Sequence, residues 1–301
     1  MAGVTAAPNA PAAPRFEPDR MRRKLSGTLF YGACLAAIAI LILALIALLL
    51  NVLVSGVPWL NVDFLTGVSS RRPENAGIWP ALMGSIQLAI IVAAITFPLG
   101  IGAAVYLAEY APDNRITRLM QTNIGNLAGV PSIIYGIFGL AIFVRLLGLG
   151  PVLFSGAATL SLVILPLVII ASIEALRAVP QAQREGAYAL GASRWQMVKG
   201  SVLPAAAPGI MTGIILAMAR AIGEAAPLVV VGAATLVLTT PQPFEGGFTV
   251  LPIQIFNWAQ RPQEDFQGLA AATIIVVLVL IFLLNLLALV VRARLSRHIQ
   301  W

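Results

Sequence analysis

Six long apolar runs separated by short polar stretches organise the chain, at about 28–54, 79–108, 122–144, 152–173, 208–238 and 269–291. Each meets the roughly 20 mostly apolar residues that a helix needs to cross a bilayer. None alternates with the two-residue period of a barrel strand. Lipid offers no partner to an unpaired backbone group, so all six are expected as helices. The expected class is therefore an all-α integral membrane protein with six transmembrane helices. The fifth run is long and holds Gly213, Gly223 and Pro227, so a tilt or kink is expected within it. Residues 1–19 are rich in Ala and Pro, show no apolar periodicity, and read as disordered. With the basic cluster that follows they make an N-terminal tail, 1–27, ahead of a transmembrane domain, 28–301. The first run is longer than the roughly 7–15 apolar residues of a signal peptide, so it reads as a retained span.

Composition agrees: of 301 residues, 59% are apolar and 10% charged, against about 25% charged in soluble domains. One cysteine, Cys34, and one histidine, His298, leave no disulfide framework, no His/Cys metal site and no Ser-His triad. Neither of the two lysines, Lys24 and Lys199, lies in a phosphate-binding P-loop. The residues thus point to no catalytic, metal or cofactor-binding group.

The net charge of +7 sits at the ends of apolar runs, where it sets topology; it does not read as a nucleic-acid surface. Counting Lys and Arg in the polar stretches gives fourteen on the side of the termini and of the stretch between spans four and five. The opposite loops carry four: Arg71, Arg72, Arg145 and Arg261. The positive-inside rule then places both termini in the cytoplasm and loops 55–78 and 239–268 outside. Trp59, Trp79 and Trp258, in or near those loops, suit interfacial anchoring.

Between the fourth and fifth runs lies REGAYALGASRWQMVKGSVLP, residues 184–204. Pro180 suits a first helical turn, and residues 181–190 then read as a short helix. Gly191 suits a left-handed C-terminal residue. Ser193 and Gln196 form a capping-box pattern that starts a second helix at once. Pro204 and Pro208 are expected to break that helix before span five. Small Ala182, Gly186 and Ala189, with charged Arg184 and Glu185, give one flank that another surface can approach. The residues alone leave two readings open: an amphipathic element lying in the membrane interface, or a handle for a partner.

Two further stretches carry polar groups into the membrane. RAIGEAAP, residues 220–227, sets Arg220 and Glu224 four apart, hence on one face if the helix is continuous. A charge at mid-bilayer costs at least about 2.5–3.5 kcal/mol, so it must face protein, water or substrate. Arg220 and Glu224 form either an internal salt bridge or a gate or binding point for an oxyanion, to which a guanidinium offers a planar fork of donors. In GVPSIIYGIFG, residues 129–139, Pro131 frees a carbonyl, and Ser132 or Tyr135 could line a polar path. Alternatively Gly129, Gly136 and Gly139 simply let helices approach.

The 184–204 stretch resembles the coupling loop of ABC importer permeases, whose pattern is E-A-A-x-x-x-G followed by a hydrophobic stretch ending in L-P. The matching residues are Glu185, Ala187, Gly191, Leu203 and Pro204, with Gly186 in place of the first Ala. The resemblance implies the type I ABC importer permease fold and a cytoplasmic coupling helix within 180–204. It also implies that Arg184, Glu185, Gly186 and their neighbours dock on a separate ATPase subunit. RAIGEAAP, GVPSIIYGIFG and LPIQIFNWAQRPQEDFQGLAAA, residues 251–272, are similar to phosphate importer permeases, the last to the A type (PstA) of the pair. Where many relatives appear to carry a basic residue near the end of span four, this chain has Ile173. The resemblance covers about residues 78–300. It implies a multi-pass subunit of a bacterial cytoplasmic membrane, carrying inorganic phosphate without catalysing ATP hydrolysis itself. The implied partners are a homologous permease (PstC type), two copies of the ATPase and an extracytoplasmic phosphate-binding protein. The alternatives are a permease for another oxyanion or small solute and an ion-driven secondary transporter working alone.

Overall fold

In the computed structural model, which describes residues 20–233 and 237–296, every regular element is helical. The chain divides into two units, Met1–Asn51 and Val52–Trp301. Helix α1, Arg20–Gly56, accounts for the described part of the first and runs on into the second. It takes in residues 20–27 as well as the first apolar run, so that part of the expected tail is helical; residues 1–19 lie outside the described residues.

The second unit continues with short α2, Val62–Thr66, capped by Asn61, whose side chain accepts from the Phe64 amide. Then come α3, Trp79–Val105, α4, Arg115–Ala128, and α5, Ser132–Gly139. Helix α6, Leu153–Arg177, precedes the hairpin of α7, Gln181–Ala189, and α8, Arg194–Met197. Helix α9, Leu203–Gly223, is followed by α10, Ala226–Val231, α11, Leu251–Ala259, and α12, Glu264–Ser296. The loops expected at 55–78 and 239–268 thus hold short helices rather than irregular chain.

Among the described residues five helices are long and apolar enough to cross a membrane, and six if α4 and α5 with its continuation to Leu146 count as one span. The third span departs from expectation here. It bends by 100° between Ala128 and Ser132, because Pro131 lacks an amide and restrains Val130 from helical backbone. The kink expected in the fifth run is a full break between Gly223 and Ala226, so that its long helix ends at Gly223 and not near 238. Glu224 turns to extended backbone, φ −84° and ψ 117°, and α10 restarts around Pro227.

Helix α6 is the axis of the packing. Leu153, Leu160, Ile164, Val168 and Leu176 along it are fully buried, with α3 and α9 on its sides. In lipid the hydrophobic effect does not drive helices together, so close contact must. Gly209 and Gly213 of α9 face Ala175 and Ala171 of α6, and a β-carbon on Gly209 would stand 2.8 Å from the Ala175 methyl. Ile173 is buried in this same core. A second core lies where α2, α11 and the starts of α3 and α12 meet. There Trp258 is 1% exposed, its ring 6.3 Å from Phe64 and 6.2 Å from Phe266. This corrects the interfacial role expected of Trp258, which aromatic packing claims instead; Trp79, at 38%, remains exposed.

Candidate functional site

The hairpin forms as its residues require. Gly191 takes φ +80°, a conformation cheap only without a β-carbon. The Ser193 side chain caps the Gln196 amide while the Gln196 side chain accepts from the Ser193 amide, a closed capping box. Beyond it lies a correction. The helix does not break at Pro204 or Pro208. It runs from Arg194 to Gly223, passing through a π-turn at Val198–Val202 in which the Leu203 amide reaches Val198. That five-residue step sits just ahead of Pro204, the residue that can donate to no turn of its own. The hairpin is therefore rigidly continuous with α9.

Glu185, Gly186, Tyr188, Leu190 and Trp195 are exposed on the hairpin, Leu190 at 91% and Trp195 at 58%. Ala187 and Leu203 are half-buried against the core, and Pro204 is exposed. Arg184 does not join the outer face expected of it. Its Nη2 donates to Glu109 Oε1 at 2.7 Å and to the Leu176 carbonyl at 2.8 Å, its Nη1 to the Val179 carbonyl at 2.7 Å, and its Nε to Glu109 Oε2 at 3.3 Å. The ion pair is buried, with 14% of the Arg184 and 6% of the Glu109 side chain exposed. Arg184 thereby ties α7 to the Leu176 carbonyl in the last turn of α6 and to the Val179 carbonyl just beyond it. Nearby, the Arg194 guanidinium lies 4.9 Å from the centre of the Tyr110 ring. Glu109 and Tyr110 escaped the sequence reading. Their signal was a lone carboxylate at the end of an apolar run, in the sequence YLAEY.

The second cluster forms where the two broken spans meet. Helix α5 packs on α10 so closely that a β-carbon on Gly136 would come within 2.8 Å of the Pro227 α-carbon. A β-carbon on Gly139 would collide with Thr159. For these two glycines close approach is the reason; Gly129 has only the Asn126 carbonyl near it, at 3.4 Å. Across the junction Ser132 Oγ donates to Glu224 Oε1 at 2.6 Å. Arg220 is exposed on the last turn of α9. The expectation that Arg220 and Glu224 share a helical face fails, because the helix stops between them. No ion pair joins them: Glu224 is held by Ser132, while Arg220 has no partner among the described residues. Tyr135 is buried and its hydroxyl donates to the Leu127 carbonyl at 2.8 Å, so it ties the bend between α4 and α5 and does not open to a path. Among the described residues no group of His, Cys, Asp and Glu is set to hold a metal.

A bundle of apolar helices, broken at two places that meet and carrying a polar hairpin continuous with one span, defines a multi-pass membrane permease. Residues 96–297 match the family described as the binding-protein-dependent transport system inner membrane component. The chain belongs to that family. It is 40% identical over 225 residues, 74% of each chain, to the probable ABC transporter permease protein YqgI of Bacillus subtilis. It is 33% identical over 287 residues, 92% of each, to the phosphate transport system permease protein PstA 1 of Mycobacterium tuberculosis. In fold it is similar to a chain of a bacterial alginate ABC transporter, with TM-score 0.63 and 16% identity over 92% of this chain and 96% of that one. It is also similar to a chain of the inward-facing MetNI methionine ABC transporter, with TM-score 0.56 and 17% identity over 73% and 94%.

Proposed function

We propose that this permease carries inorganic phosphate inward in an ATP-driven importer, forming half of the path. The observation that carries this is the 33% identity over 92% of the chain to a permease named for phosphate transport. The unpaired guanidinium of Arg220 beside the junction of the broken spans supports it. A membrane-embedded Arg without a protein partner is costly unless water or a ligand meets it, and its fork matches phosphate oxygens. Glu224 spends one oxygen on Ser132. Its other oxygen accepts a hydrogen bond from the proton that phosphate still carries near neutral pH. Sulfate has no such proton and meets only repulsion.

In this reading both termini and the α7–α8 hairpin lie in the cytoplasm of a bacterial cell, and the exposed Glu185, Leu190 and Trp195 face sits in a groove of an ATPase subunit. Two ATPase copies, a homologous permease (PstC type) and an extracytoplasmic phosphate-binding protein complete the assembly. ATP binding shifts the permease between outward- and inward-open states only because the partners bind those states differently. Uptake of radiolabelled phosphate tests the site. Arg220→Gln and Glu224→Gln proteins that insert normally are expected to lose roughly ten-fold or more, the worth of a charge-assisted hydrogen bond. Wild-type uptake by both removes Arg220 and Glu224 from the path.

A further inference from the structure

Three π-turns interrupt the described helices, and two of them flank the hairpin. Val198–Val202 joins α8 to α9 by unbroken backbone. Tyr106–Tyr110 closes the far end of α3, where the Ala111 amide reaches back to the Tyr106 carbonyl at 2.8 Å. That second turn has no chain connection to the hairpin, yet consecutive residues on it grip both hairpin helices: Glu109 holds Arg184 of α7, and Tyr110 lies against Arg194 of α8. Arg184 also reaches the carbonyl of Leu176 in the last turn of α6 and that of Val179 just beyond it. Four charge-assisted donations from one buried guanidinium fix its position far more tightly than an exposed ion pair would.

From this geometry we infer that Glu109 and Tyr110 are positioning residues that carry hairpin motion into α3. The inference rests on the reading of the hairpin as the ATPase dock. Through the backbone alone, a turning hairpin pulls on α6 and α9, and α3 follows only through its packing on α6. With the Glu109–Arg184 pair and the Tyr110–Arg194 contact in place, α3 and α9, which both pack on α6, move as one.

The test uses the complete importer in lipid vesicles: this chain, its paired permease, the ATPase and the binding protein, with inorganic phosphate as cargo. Phosphate moved and ATP hydrolysed are measured together. Glu109→Gln and Tyr110→Leu are each expected to keep the ATPase bound and hydrolysing while phosphate moved per ATP falls roughly 2- to 30-fold, the range of coupling changes along a contact chain. Tyr110→Phe keeps the ring face and is expected to keep the wild-type ratio, which a merely bulky role for Tyr110 would not distinguish from Leu. If Glu109→Gln does not insert, Tyr110→Leu, outside the buried pair, decides alone. An unchanged ratio in Tyr110→Leu overturns the inference. So does a fall in transport that only matches ATPase lost from the complex, since the cluster would then merely shape the dock. A wild-type complex that retains no ATPase instead removes the docking reading beneath it.

Discussion

Two arginines in this chain meet opposite fates. Arg184, at the hairpin, is buried and spends its donors on Glu109 and two carbonyls. Arg220, on the last turn of α9 before the break, is exposed and has no partner among the described residues. The first belongs to a finished joint, in which every strong donor meets an acceptor that the fold itself supplies. The second meets no acceptor among the described residues, which is what the proposed site for phosphate requires.

The sharpest way to break this contrast is to remove each arginine in turn. Arg184→Ala strands a buried carboxylate, and breaking a buried pair from one side costs about 3–5 kcal/mol. Thermal unfolding of the purified protein in detergent should show a large fall in midpoint, recovered in part when Glu109→Ala is added. Arg220→Ala should leave the same midpoint nearly unchanged, within about 0.5 kcal/mol. Equal losses from both would erase the distinction. A smaller effect is expected at the junction, where α5 and α10 touch. An added methyl in Gly136→Ala meets Pro227 backbone, which cannot yield as a side chain can, for a cost of about 1–3 kcal/mol in the same melts. The smallest is on the hairpin's outer face. A β-carbon at Gly186 meets nothing within 4 Å, so Gly186→Ala should stabilise α7 by about 0.5–1 kcal/mol. Destabilisation there would mean that the hairpin packs differently from the way it is described.

Much of this was legible one segment at a time. Apolar runs located the spans because bilayer thickness fixes helix length, and the ends of α3, α6 and α12 fall within a few residues of expectation or extend beyond it. The hairpin was legible too, since a capping box and a left-handed glycine are local devices that need no distant partner. Local signals failed where two segments decide together. Pro204 reads as a breaker in isolation, yet a π-turn carries the helix past it. Trp258 reads as an interfacial anchor, yet Phe64 and Phe266 surround it. Glu224 reads as a helical neighbour of Arg220, yet the helix ends at Gly223 and Ser132, from another span, takes the carboxylate.

That this chain lives in a bilayer, how often apolar segments recur along it and where the polar hairpin interrupts them can all be read from its residues. Those properties follow from solvent transfer and short-range backbone chemistry, which each segment carries alone. Which charges find acceptors within the fold depends on long-range packing. Arg184 and Glu109 stand 75 positions apart, Ser132 and Glu224 92 apart. No local rule pairs such residues; the packing of α3, α5 and α9 around α6 does.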